Sequence, residues 1–189
     1  MTLEKIFSTD GDKLSAAVAQ LRTLDKASHL MRTPSKFPQG VALVLGVDRL
    51  SDEEQERAEL AGIGRAEFQN YYSNTMQERQ TAIIERDAIP AMKAIHSRWA
   101  EHYEGKANEA RKAEQALADK MGLPFANAYA SQHEAFAAEH RHNAVAVRYA
   151  GGDPLRFIRG CGWSEDGTHT EPGTDRPSVI ERIAKALAA

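Results

Sequence analysis

The one thiol of this 189-residue chain, Cys161, stands between two glycines in "RGCGW". A cysteine nucleophile needs a lowered pKa and a base within hydrogen-bond reach. Arg156, Arg159 and His169 are the nearest groups in sequence that could supply both, with Glu165 or Asp166 behind them. Nothing in their spacing forces these groups together. A lone cysteine commonly serves as a small buried apolar residue, and Cys161 is read that way.

The seven histidines offer metal chemistry. Glu139 and His142 stand at i, i+3, the spacing a helical di-metal carboxylate site uses. Such a site needs the motif twice, and the chain has it once. His133 and His140 lie seven apart with Phe136 between them, and His96 and His102 flank Trp99. There is no His-Glu-x-x-His and no cysteine cluster. The expectation is no metal and no cofactor. Phosphate chemistry fares no better: the sequence lacks a glycine-rich loop ending in Lys-Ser/Thr, and Asp52, Glu53 and Glu54 at the start of a helix would repel a phosphate there. The reading leans away from an enzyme, and an enzyme using Cys161 or a histidine-centred site is kept as an alternative.

Binding chemistry has more material. Residues 148–163 interleave Arg148, Arg156 and Arg159 with Tyr149, Phe157 and Trp163. Arginines beside aromatics can hold phosphates and stack bases, which makes a nucleic-acid-associated protein an alternative. The net charge of -3 supplies no electrostatic funnel, so nucleic acid is not favoured. Arginine and tryptophan also dominate the energy of protein interfaces. Arg156, Phe157, Arg159 and Trp163 are therefore read as anchors for a protein partner. The acidic run "SDEEQERAEL", residues 51–60, reads as a solvated helix face.

Those residues must be positioned by something. Apolar residues make up 42% and charged residues 27% of the chain, the profile of a folded protein with a large wetted surface. One cysteine cannot close an intramolecular disulfide, the amino terminus has no signal-peptide pattern, and the longest apolar run, "VALVLGV", is far short of the ~20 residues a membrane span needs. A cytoplasmic protein without a membrane segment is expected.

Leu14, Val18, Leu21 and Leu24, with Ala17, recur at helical spacing and predict a first helix over 10–32. "TPSKFPQG" reads as a break. "VALVLGV", 41–47, reads as a buried strand, and Ser51 with Glu54 as the capping box of the next helix. From 65 to 121 the pattern is helical, interrupted only by Pro90, which predicts a kink or break near 86–90. Beyond it Met92, Trp99, Tyr103, Ala110, Ala113, Leu117 and Met121 form a stripe, longer than one small core needs. That stripe predicts an antiparallel helical pair or an oligomer interface, with Trp99 and Tyr103 as its anchors. A further helix runs to about 141. Val145, Val147 and Tyr149 alternate as a second strand, with part of 155–163 as a third. A last helix starts at Ser178.

The expected fold is α+β and mainly α. It is a single domain over 1–189, with an extended helical element at 65–121, a small two- to three-stranded sheet, and an irregular arm at 151–177. The expected function is a non-enzymatic protein-binding or assembly protein, a small microbial or viral accessory, inhibitor or structural component. A protein partner, and self-association into a homo-oligomer, go with that reading.

Overall fold

A computed structural model describes residues 3–125 and 127–161, with side chains from residue 9 onward. Seven α-helices account for most of them: α1 (Leu3–Met31), α2 (Phe37–Leu45), α3 (Asp52–Gly62), α4 (Ala66–Ile83), α5 (Ile89–Met121), α6 (Ala128–Ala146) and α7 (Pro154–Gly160). A 3-10 turn, Pro34–Lys36, precedes α2, and a π turn, Ile84–Ala88, lies between α4 and α5. No helix among the described residues is long and apolar enough to cross a membrane.

The sheet is the correction. Among the described residues there is no strand, so their arrangement is all-α and not the expected α+β. The run 41–47 belongs to α2. A short apolar run has the same composition in a buried strand and a buried helix, and only the residues flanking it separate the two. The periodicity starts inside the supposed break: Phe37, Gly40, Val41 and Val44 are the buried residues of α2, an i, i+3, i+4, i+7 face. Pro38 sits in the first turn of α2, where a missing N–H costs nothing. Of the second expected strand, Val145 lies in the last turn of α6, and Val147 and Tyr149 follow the helix without forming a strand. The last turn of α6 closes with the Val147 amide donating to the Asn143 carbonyl at 3.1 Å. The third is α7. The Asp153 carboxylate accepts from the amides of Leu155 at 2.9 Å and Arg156 at 3.1 Å, and Pro154 opens the helix.

Other expectations hold. The Ser51 hydroxyl accepts from the Glu54 amide at 3.2 Å and starts α3. The π turn lies just before Pro90, and there the Ile89 amide donates to the Ile84 carbonyl, five residues back. Proline has no N–H for the ordinary i to i−4 bond, and a π turn takes up the resulting mismatch. α1 starts at Leu3, earlier than the expected residue 10. Asp10 is buried and paired with Arg98 at 2.7 Å.

The described chain divides into two compact units. The first holds residues 3–10 and 92–147, and so α6 with nearly all of α5. The second holds 11–91 and 148–161. Its core gathers Phe37 and Val41 of α2, Ala58 and Ala61 of α3, Tyr72 of α4, and Leu50. Phe37 meets Tyr72 edge-on at 6.1 Å, and the Tyr72 hydroxyl donates to Glu54 at 2.6 Å. Burial first, and that carboxylate second, push the Tyr72 phenol far above its usual value. α1 adds a buried stripe of Leu14, Ala17, Val18, Leu21 and Leu24. α1 and α2 approach closely at Gly40, where a Cβ would stand 2.9 Å from the Ala27 carbonyl oxygen and 2.5 Å from Met31 Cγ.

Candidate functional site

The first unit is built on a helical hairpin. α5 carries His96, Trp99 and Tyr103 at i, i+3, i+7, and α6 carries His133, Phe136 and His140 at the same spacing. Residues seven apart share a helix face, so each helix offers one stripe to the other. The stripes meet antiparallel. At one end Nδ1 of His96 and Nδ1 of His140 lie 3.0 Å apart, with both residues 4–5% exposed. The His140 ring stacks on Trp99 at 5.9 Å and on Tyr103 at 5.7 Å. Tyr103 then stacks on His133 at 6.0 Å and tilts against Phe136 at 5.3 Å. Ala107, Ala110 and Ala130 farther along, and Ala137 beside Phe136, are buried, and their small side chains allow close approach. Ion pairs join the helices at Glu104–Arg141 and Arg111–Glu134.

The amino terminus of α6 has no acid in its first turn and no side-chain bond from its own cap residue, Asn127. Glu114 of α5 supplies one: its Oε1 accepts from the Tyr129 amide at 2.8 Å. A carboxylate at that position also meets the positive end of the helix dipole. His133 lies in the same region. Burial, followed by Lys106, lowers its pKa, and the carboxylates of Glu109 and Glu114 work in the opposite direction.

The hairpin ends in an apolar tip. Gly122 adopts φ +63°, its amide donates to Asp119, and the Leu123 amide donates to Ala118 at 3.0 Å. This is a Schellman close, which a left-handed glycine permits. It leaves Met121, Leu123 and Phe125 exposed at 59%, 57% and 41%. The sequence "MGLPF" reads as a helix stop and nothing more. That a stop also displays three large apolar side chains depends on the turn geometry.

The residues singled out as anchors separate. Trp99 and Tyr103 fall in the first unit, stacked on each other at 5.7 Å, with Trp99 buried and Tyr103 half-buried. Arg156, Phe157 and Arg159 fall on α7 in the second unit. Both arginines are exposed, and Phe157 is half-buried with its ring 5.2 Å from Tyr149. The Tyr149 hydroxyl donates to the Gly152 carbonyl at 2.6 Å and closes the turn before α7. Trp163, the rest of the arm through 177 and the helix from Ser178 lie outside the described residues, as do His169, Glu165 and Asp166.

Cys161 is half-buried, and burial pushes its thiol up, away from the range of an activated nucleophile. Glu139 and His142 are both exposed on α6. Among the described residues no three histidines, cysteines or acids gather as a metal site. No family model, no curated protein and no solved structure matches the chain.

Proposed function

We propose that this is a non-enzymatic protein-binding or assembly protein that engages a protein partner through the tip of the α5–α6 hairpin. The observation that carries the reading is the exposure of Met121, Leu123 and Phe125 on one capped turn. Apolar side chains in water favour burial by about 25 cal/mol per Å². A stacked, ion-paired hairpin holds them in place, so little ordering entropy is lost when a partner covers them. Aromatic side chains and methionine, as at Phe125 and Met121, are enriched in protein interfaces. The histidines support the reading indirectly, because His96 and His140 are spent on holding the hairpin together. A cytoplasmic setting accords with the lone thiol of Cys161.

Photo-crosslinking in cells tests the reading. A photoreactive residue at position 123 is expected to trap a discrete protein partner, and one at exposed Lys112 is not. The triple variant Met121→Ser, Leu123→Ser, Phe125→Ser is expected to keep its helical circular dichroism and lose the partner. A partner retained in full by that folded variant would overturn the proposal.

A further inference from the structure

The two ends of the α5–α6 hairpin are held unequally. At one end the stack of Trp99, Tyr103 and His140 and the His96–His140 contact close the helices on each other. At the tip end the first turns of α6 are docked lightly: of residues 128–136 only Ala130 is fully buried. The ion pair that spans this stretch, Arg111–Glu134, is exposed on both sides, and such pairs contribute little. Segments with few buried apolar contacts are the ones that open locally while the rest of a fold stays closed.

Three buried polar atoms lie in or against the same stretch. Glu114 Oε2, Asn127 Oδ1 and His133 Nδ1 are shielded from water and have no hydrogen-bond partner among the described residues. Each forfeits the hydrogen bonds it would make in water, and opening restores them.

We propose that this end of the hairpin is an acid-sensitive clasp, in which proton uptake by His133 frees the first turns of α6 from α5. The clasp regulates the hairpin tip and rests on the function proposed for that tip. The Gly122 and Leu123 amides donate to the carbonyls of Asp119 and Ala118, so Met121 and Leu123 stay with α5. Phe125 lies on the path to α6. Opening therefore parts the three apolar side chains and breaks up the surface a partner covers.

The groups around His133 set the direction. Its ring stacks on Tyr103 of α5, and Lys106, Glu109 and Glu114 of the same helix act on its charge. Lys106 reaches Glu109 at 3.3 Å, and Glu114 commits Oε1 to the Tyr129 amide. Glu134, next to His133 on α6, is paired with Arg111. Burial first and Lys106 second hold the docked ring below its usual 6.5, against the pull of both carboxylates. A ring released into water returns to that usual value. The open form therefore binds the proton more readily, and acid favours it. For one proton the opening constant rises by at most about tenfold per pH unit below 6.5, and levels off once the docked ring is itself protonated.

Hydrogen exchange of the full chain without partner, from about pH 8 to about pH 5 and normalised to the intrinsic rate at each pH, reads the clasp directly. Protection of the amides of 132–136 is expected to fall several-fold below pH 6.5, while those of 141–145 keep theirs. His133→Gln cannot titrate and is expected to lose the pH dependence. Lys106→Gln, a change at a partly exposed position, removes a charge that opposes the protonated ring and is expected to flatten it. Equal loss of protection at both ends of α6, or an unchanged pH dependence in Lys106→Gln and in folded His133→Gln, overturns the clasp. Crosslinking from position 123 is then compared at neutral and acid pH. A partner trapped at neutral pH only in the parent, and at both in His133→Gln, supports the regulation. A partner trapped equally at both by the parent overturns it. Acid-sensitive exchange with no partner trapped at either pH supports the clasp and overturns the function proposed for the tip.

Discussion

His96 and His140, forty-four residues apart, meet Nδ1 to Nδ1 at 3.0 Å inside the α5–α6 hairpin. A hydrogen bond between two ring nitrogens needs one of them to carry the proton and the other to present its lone pair. The rings must therefore hold complementary roles at their Nδ1 atoms. Nitrogen-detected NMR of the imidazoles at neutral pH is expected to find one Nδ1–H and one bare Nδ1. Two bare Nδ1 atoms would mean that the pair is held by packing alone.

Removing one partner tests its worth. His140→Ala deletes a buried ring that stacks on Trp99 and Tyr103 and takes away the partner of the His96 Nδ1. Loss of packing and a forfeited buried hydrogen bond together are expected to cost about 2–4 kcal/mol in urea unfolding. His142→Ala, at an exposed position two residues on, is expected to cost within about 0.5 kcal/mol. Similar costs for both would remove His140 from the frame of the hairpin.

His133 sets a pH dependence. Its pKa is lowered from the usual 6.5, chiefly by burial. The unfolded chain then binds a proton more readily than the folded one as pH falls through 6.5. Stability is expected to be full above that pH, to decline below it, and to level off once pH passes the lowered folded value. Urea midpoints measured across this range should show the decline in the parent and a weaker one in His133→Gln. An unchanged decline in the variant would assign it to another group.

Gly40 is a contact prediction. A Cβ there would sit 2.9 Å from the Ala27 carbonyl oxygen, a backbone atom that cannot swing aside, and 2.5 Å from Met31 Cγ, which can. Gly40→Ala is expected to push α2 from α1 and cost about 1–3 kcal/mol. Met31→Ala added to it should recover only part of that loss, because the carbonyl clash remains. A neutral Gly40→Ala in thermal unfolding would show that the two helices have slack.

Residue spacing made the long elements legible. The α1 stripe, the Ser51 cap, the long helical stretch and its disturbance beside Pro90 can all be read from neighbours a few residues apart. The strand assigned to 41–47 failed for a physical reason. "VALVLGV" is too short and too uniformly apolar to show a period, and the residues that reveal one, Phe37 and Gly40, sit in a stretch that two prolines mark as a break. At 153–154 the pair Asp-Pro carries a cap and a first-turn proline, a helix start present in the local sequence. The His96–His140 contact depends on the register between two helices, and the exposed tip on the geometry of one turn. Neither is a property of local sequence.

Glu114 joins the hairpin to its pH response. Its Oε1 is the acceptor for the Tyr129 amide in the first turn of α6, a turn without an acid of its own. Glu114→Ala removes that acceptor and the negative charge at the helix start, and is expected to cost about 1–2 kcal/mol. Hydrogen exchange should locate the loss, with faster exchange at the amides of 128–130 and little change at those near His140. The same carboxylate raises the His133 pKa against burial. Without it, the folded-state pKa of His133 falls further, while the unfolded value stays near 6.5. The acid limb in Glu114→Ala should therefore begin at the same pH as in the parent and continue to a lower pH before levelling. Glu114→Gln keeps an acceptor oxygen and loses the charge, so it should restore protection at Tyr129 while still showing the extended limb. A limb in both variants that ends where the parent's does would uncouple Glu114 from His133, and lost protection in Glu114→Gln would assign the cap to charge alone.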